Sequence, residues 1–406
     1  MAQPGLLFVT VSALVFSAGP AQALGLEEVD PRALETLTHA VAEPVQTFRP
    51  ILDPLGQLSP FLDIRPDGVF VRYSVAEPWR RLSPKAAPVV AARDPVPMKT
   101  IRGQPLAGLR IALDPGHRGG AWSETEERHV QVGPGPPVRE GTLTYAVAVD
   151  LRRQLRRLGA EVMLTRGAPP KRDFPQELLP GYDPELEARQ WIGELVHSRR
   201  FRHLARFARW PAAQWFERLI ARTLVQLAPV KVYNRYELRR RSQLAEAFQP
   251  HVTLSLHFNV ARDPLTNGVI VFLLGNFLHQ ELATRSQRFY ALRALLSGDL
   301  PRAAAVAQTL GRALQQELNV PALSEPSDSP IGRAKKIPVA AEDGVFARNL
   351  ALVRRTPGLV LLVEGPCMNA VGEFEKLQRT PRARTSAYAR AVVRALVTQV
   401  ALLRRP

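Results

Sequence analysis

The sequence predicts an α/β fold: a single, mostly parallel sheet flanked by helices on both faces, carrying a helical insertion and a small N-terminal region. Three observations predict it. Residues 109–114 (LRIALD), 252–258 (VTLSLHF), 268–274 (GVIVFLL) and 358–364 (GLVLLVE) are near-continuous apolar runs, the pattern of strands covered on both faces. Residues 143–158 (LTYAVAVDLRRQLRRL) place apolar residues at helical spacing with arginines on the opposite face, and Gly159 stops the helix. Residues 161–165 (EVMLT) follow as another strand, so strand, helix and strand form a βαβ unit with parallel neighbours.

The remaining elements follow in chain order. Residues 6–18 (LLFVTVSALVFSA) are apolar and uncharged, then come Gly19-Pro20 and Ala21-Gln22-Ala23. A short hydrophobic run, a breaker and an A-x-A site read as an export leader over 1–23, with the mature chain starting at Leu24. No later run is long and apolar enough to span a bilayer. In 24–107, residues 33–45 read as a short helix and residues 61–75 as two strands around Pro66-Asp67-Gly68. The Pro-, Ala- and Arg-rich stretch 84–106 reads as a linker. The segment 167–236 opens with prolines and turns helical, arginine-rich and aromatic (Trp191, Phe201, Phe207, Trp210, Trp215, Phe216). Helices are predicted at 236–248, 278–296, 301–318, 345–355 and 385–403, with 321–342 as loop.

Composition narrows the function classes. The 406 residues are 46% hydrophobic and 22% charged, which excludes wholesale disorder. There are 54 Lys+Arg against 37 Asp+Glu, a net charge of +17, which favours a polyanionic environment. A leader turns that preference toward an anionic wall polymer or lipid, and no nucleic-acid motif is present. The one cysteine, Cys367, cannot form an internal disulfide or a multi-cysteine zinc site.

In open α/β sheets, sites form beyond the carboxyl ends of the strands. Strand 109–114 leads into Asp114-Pro115-Gly116-His117. Strand 252–258 carries His257 near its end, strand 358–364 ends in Glu364, and Glu140 stands before the first core helix. Two histidines and one carboxylate are a common catalytic zinc set that leaves a fourth position open. On this reading His117, Glu140 and His257 are the ligands of one Zn2+ per chain. Glu364 is the general base and acid. Each residue also has a plainer reading, as a turn, core or capping residue; it is their joint position at one sheet edge that points to a site.

These residues resemble the zinc-dependent N-acetylmuramoyl-L-alanine amidases of bacterial cell walls. The family's D-P-G-H-G-G is similar to Asp114-Pro115-Gly116-His117-Arg118-Gly119-Gly120, and its second-ligand Glu corresponds to Glu140, followed by Leu164-Thr165-Arg166. Its R-x-x-x-A-N turn matches Arg241 and Ala245, with Glu246 in place of the Asn. Its S-I-H-A-N resembles Ser255-Leu256-His257-Phe258-Asn259. An N-G before the next strand is matched by Asn267-Gly268. Its V-E-x-G-F-x-S-N resembles Val363-Glu364-Gly365-Pro366-Cys367-Met368-Asn369. The resemblance spans about 108–400 and implies a phosphorylase/hydrolase-like α/β domain over 108–406. It implies cleavage of the amide between N-acetylmuramic acid and the L-alanine of the stem peptide. Asn259, Arg241 and Asn369 are then candidates for substrate contacts or support.

The departures are Arg118 in place of a glycine, Pro366-Cys367 in the last motif, and a longer stretch from His117 to Glu140. That stretch holds Glu124, Glu126, Glu127 and His129 as rivals for the second ligand. The insertion reads either as a structural cap or as a lid and activator-docking surface. Peptidoglycan is the expected partner and the periplasm the expected location, with secretion as the alternative. Two other functions share these residues: a zinc peptidase or carboxypeptidase on stem peptides, and a wall-binding protein with a degenerate site.

Overall fold

The computed structural model describes residues 39–40, 45–84, 102–196, 213–277, 282, 285–323 and 336–404. The predicted leader 1–23, most of the predicted linker, and Phe201, Phe207 and Trp210 lie outside the described residues. Among the described residues, no helix is long and apolar enough to cross a membrane.

The N-terminal part holds a four-stranded sheet. Strand β1 (His39–Ala40) precedes helix α1 (Val45–Leu52), then come β2 (Leu62–Arg65), β3 (Gly68–Val71) and β4 (Arg80–Pro84), ordered β1-β4-β3-β2. Of the residues expected as a helix over 33–45, the described ones are His39–Ala40, which form β1, and Val45, which opens α1. The predicted hairpin is present: Arg65 faces Gly68 across Pro66-Asp67, in antiparallel register. This sheet packs against the main body. Asn276 and Phe277 donate backbone N–H bonds to Ile51 and Leu52 carbonyls (2.8 Å each). Phe48, Leu62, Val71 and Leu82 belong to the same apolar core as the large sheet.

The main body follows. Strand β5 (Arg110–Pro115) leads to a short helix α2 (Trp122–Thr125) and a two-stranded ribbon, β6 (His129–Val130) with β7 (Val138–Arg139). Helix α3 (Glu140–Arg157) and β8 (Glu161–Leu164) complete the βαβ unit. Among the described residues, helices α4 (Pro184–Val196), α5 (Ala213–Leu227) and α6 (Pro229–Phe248) come next. Then come β9 (Val252–Asn259), β10 (Ile270–Leu273), α7 (Arg285–Leu296), α8 (Asp299–Leu318), β11 (Ile337–Ala340) and β12 (Val345–Ala347). The chain ends through α9 (Ala351–Arg355), β13 (Leu359–Cys367), α10 (Glu373–Arg379), α11 (Pro381–Thr398) and α12 (Val400–Leu403).

Seven strands form one mixed sheet, ordered β11-β12-β10-β13-β9-β5-β8. Strands β8, β5, β9 and β13 run parallel; β10 pairs antiparallel to β13 and parallel to β12, and β11 closes the edge antiparallel. Helices α3, α11 and α8 pack side by side over one face, while α6, α9 and α7 pack together on the other. Central strands are buried throughout because both faces are covered: every residue of β10 is buried, as are all of β9 but His257. Strand β5 connects outward to β8, and β9 connects the other way to β10. The crevice between β5 and β9 is therefore a topological switch point, where such sheets bind ligands.

Two elements differ from the sequence expectation. Residues 345–347, expected as the start of a helix, form β12, which pairs with Val271–Leu273 of β10. Part of the loop expected at 321–342 is β11. A three- or four-residue apolar run fits either period, and here the open edge of β10 decides it. The helix expected at 236–248 begins earlier: α6 runs unbroken from Pro229, with proline in its first turn.

Candidate metal centre

Strand β5 ends in Asp114-Pro115, and the chain turns at Gly116 and His117. His117 has a left-handed backbone, φ 53°, a conformation that costs a non-glycine residue energy and needs support. Two buried arginines supply it. Arg241, on α6, donates Nη1–H to the Pro115 carbonyl (3.1 Å) and Nη2–H toward the His117 carbonyl (3.4 Å). Arg166, after β8, donates to the carbonyls of Pro115 (2.8 Å), Gly116 (3.2 Å) and Gly141 (2.7 Å). Asp114 anchors the turn from below. It accepts hydrogen bonds from the hydroxyls of Thr165 and Ser255, the latter at 2.7 Å.

Glycines let the surrounding backbones close in. A Cβ on Gly116 would sit 2.3–2.6 Å from the His257 imidazole. Gly119 and Gly141 approach so closely that a Cβ on either would meet the other's backbone at 2.2–2.4 Å. That contact seats the start of α3 beside the His117 turn, and Glu140 is its first residue. The twenty-odd residues between His117 and Glu140 fold as a closed excursion. The β6–β7 ribbon brings the chain back, and the Glu140 amide donates to the Arg128 carbonyl (3.0 Å).

The three predicted ligands meet. His117 Nε2 lies 3.3 Å from Glu140 Oε2, and His257 Nδ1 lies 3.0 Å from Glu140 Oε1. The imidazole rings are perpendicular, with centroids 5.1 Å apart. One donor atom from each residue falls within 4.8 Å of the others. Two nitrogens and one carboxylate oxygen, converging from separate elements, fit a zinc ion with an open position. None of the rivals takes part. Glu124 accepts from Arg139 (2.6 and 2.9 Å), Glu126 accepts the Arg118 N–H (3.1 Å), Glu127 is exposed, and His129 Nδ1 faces the Ser123 carbonyl (3.3 Å).

The electrostatics fit a cation. Burial would raise the Glu140 pKa, but the two imidazoles and Arg128 outweigh it and hold the carboxyl down at about 2. The start of α3 also favours negative charge. Burial depresses the His117 pKa well below its usual value. For His257, burial works downward, but Glu140 and Glu364 prevail and raise it.

Glu364 lies beside this centre. Strands β13 and β9 pair in parallel with Glu364 opposite His257, so both side chains project to the same face. Its Oε2 is buried with no hydrogen-bond partner. Burial pushes its pKa up to about 7, with His257 pulling down and Glu140 pushing further up. A carboxyl poised near neutrality, one strand away from the ligands, is suited to accept and return a proton.

The other candidates brace loops. Arg241 is buried and committed to the His117 turn and to Glu237 (2.8 Å), so it supports the site rather than facing a substrate. Asn369 uses its amide twice on Ala261, accepting its N–H (2.9 Å) and donating to its carbonyl (2.7 Å). Asn259 is buried at the end of β9 and accepts the Val260 N–H (2.9 Å). Cys367 is buried, and its thiol pKa is pushed up to about 12 by that burial; it is no nucleophile.

Sequence reasoning missed two contributors. Tyr388 on α11 donates its hydroxyl to the Val363 carbonyl (2.8 Å) and toward the His257 carbonyl (3.4 Å), tying together the two strands that carry the site. A lone tyrosine in a helix carries no signal for this. Arg128 sits in the excursion, and the only hint of it was the length of that excursion.

The insertion docks next to the centre. Trp122, just after the Gly119-Gly120 turn, packs on Tyr233 of α6 (4.8 Å between centroids) and on Phe174 (5.2 Å). Arg118 stacks on Trp122 (5.4 Å) and pairs with Glu237 (3.4 Å). Helices α4 and α5 share their own small apolar core with the start of α6, centred on Trp191, Ile220 and Leu224.

No family model matches the sequence, and no curated protein matches it. Solved structures do. The chain is similar to the CwlD amidase of Clostridioides difficile, solved in complex with the GerS lipoprotein. The identity is 13% and the TM-score 0.41, over 72% of this chain and 98% of that one. It is similar to the N-acetylmuramyl-L-alanine amidase Ami1 of Mycobacterium smegmatis (18% identity, TM-score 0.39, 73% and 98% covered). It is also similar to the amidase AmiC2 of Nostoc punctiforme (15%, 0.38, 72% and 97%). Likeness at this level leaves the chemistry to be argued from the site itself.

Proposed function

We propose that the chain is a zinc-dependent N-acetylmuramoyl-L-alanine amidase that frees stem peptides from peptidoglycan. The observation that carries the reading is the convergence of His117, Glu140 and His257 within 4.8 Å, with Glu364 in register beside His257. The ordered motifs from Asp114 to Asn369 add the substrate class. His117, Glu140 and His257 would hold the zinc, which supplies Lewis acidity when bound. Glu364 takes a proton from the attacking water at its carboxylate and returns it to the nitrogen of the leaving L-alanine. Arg166 and Arg241 keep the His117 turn fixed, so the first ligand needs no rearrangement during the reaction.

The test is digestion of purified peptidoglycan by the chain from Leu24, with and without a chelator, read by mass spectrometry. Free stem peptides with an L-alanine amino terminus, lost on chelation and restored by zinc, support the amidase. Shortened stems still attached to glycan identify a zinc peptidase. Zinc bound with no cleavage points to a cleft blocked by the insertion, whose deletion should then release activity; no zinc and no cleavage leaves a wall-binding protein.

Two further readings belong with this function. The leader over 1–23 supports export to the periplasm, tested by fractionation of cells expressing the full chain. The insertion packs on the loop that follows His117, which makes it the natural place for an activator to act. Activity that rises when a lipoprotein or other envelope partner is added would support that role.

A further inference from the structure

Four arginines around the His117 turn are committed. Arg166 and Arg241 bind loop carbonyls, Arg118 pairs with Glu237, and Arg139 pairs with Glu124. Arg128 is different. Its backbone is pinned on both sides, its N–H donating to the Ser123 carbonyl (2.8 Å) and its carbonyl accepting from the Glu140 amide (3.0 Å). Its guanidinium makes no hydrogen bond or ion pair among the described residues, and the residue is half-buried. The neighbouring acids are occupied or turned away: Glu124 holds Arg139, Glu126 holds the Arg118 amide, and Glu127 is exposed. The bond from the Glu140 amide places Arg128 beside the first residue of α3, next to the ligand carboxylate, and its positive charge reaches His117, Glu140 and Glu364.

With a divalent cation held by Glu140 and the two histidines, a half-buried guanidinium beside it would favour one further anion. Its planar fork matches a carboxylate. We propose that Arg128 is a substrate-recognising residue that pairs with a carboxylate on the stem peptide, and that the excursion between the first two ligand positions places it there. The proposal rests on the amidase reading and refines it: the preferred substrate is an acidic stem, not an amidated one.

The test uses the zinc-loaded chain from Leu24 with N-acetylmuramoyl-L-alanyl-D-glutamic acid and its diamide. The wild type should favour the acid by about 10- to 100-fold in kcat/KM, chiefly through KM. Arg128→Gln should lose that preference, and Arg128→Lys should recover part of it, because an ammonium keeps the charge without the fork. Unchanged zinc content and melting temperature show that the variants are folded. A preference left intact in Arg128→Gln overturns the proposal. So does an equal fall in kcat for both substrates with KM unchanged. If the wild type cleaves neither compound, the amidase reading itself stands or falls on stem-peptide release from peptidoglycan, while calorimetric binding of the two compounds decides the role of Arg128. Tighter binding of the acid that Arg128→Gln abolishes sustains it; equal binding refutes it.

Discussion

Each ligand residue is held in a particular protonation state, and this has measurable consequences. Glu140 is ionised down to about 2, His117 is neutral, and His257 is raised above its usual 6.5. A zinc ion must therefore displace the His257 proton wherever the pH lies below that raised value. Zinc affinity should fall about tenfold per pH unit below the His257 pKa and level off above it. A competition titration against a chromophoric chelator across about pH 5 to 8 reads this directly; an affinity flat over that range would contradict it. Glu126 gives a stability effect of opposite sense. Burial, with Glu237 adding to it, pushes its pKa from 4.5 up to about 7. The folded chain thus keeps its proton after the unfolded chain has lost it. The resulting penalty is absent below about pH 4.5, grows as the pH rises to about 7, and is level beyond, reaching on the order of 3 kcal/mol. Glu126→Gln removes it, so denaturant unfolding should show the variant more stable than wild type at pH 8 and equal to it at pH 4.

At the scale of elements, the site depends on backbones that approach more closely than side chains allow. Gly116 is the sharpest case. Alanine there would put a methyl 2.3 Å from the His257 ring. The ring must swing away from Glu140, so Gly116→Ala should weaken zinc binding by about 10- to 100-fold, as loss of an orienting contact does. The fold should lose only about 1–3 kcal/mol. Zinc affinity beside a thermal melt separates the two effects, and unchanged affinity would show that the ring has room to spare. The same scale shows what the sequence made legible. Strands β5, β9, β10 and β13 were readable because both faces are buried, leaving apolar runs whose polar ends mark the site. Strands β11 and β12 were not, because three or four apolar residues fit helix and strand equally. Glu140 was preferred over four rivals on the order of the elements around it, and the returning β6–β7 ribbon explains how so long a stretch still delivers it. For Asn259, Arg241 and Asn369 the sequence left substrate contact and support both open, because burial is invisible in sequence; all three spend polar groups on loops or on the backbone. Arg128 stayed hidden, since nothing periodic leads to it.

Across the whole molecule, one sheet edge gathers residues from β5, α3, β9 and β13, while the insertion grips that edge from outside. The grip runs through Trp122, which is fully buried against Tyr233 and Phe174. Trp122→Ala should cost about 3–5 kcal/mol in denaturant unfolding. A loss under about 1 kcal/mol would mean that the insertion is not anchored there. The net charge of +17 suits the anionic surroundings that the proposed substrate implies. The zinc site and its general base are tested together by the zinc content and stem-peptide release of three proteins in parallel: wild type, Glu140→Ala and Glu364→Gln. The wild type should carry one zinc per chain and release stem peptides, Glu140→Ala should do neither, and Glu364→Gln should carry one zinc without release. A Glu140→Ala protein that keeps its zinc, or a Glu364→Gln protein that still frees stem peptides at the wild-type rate, would contradict these roles.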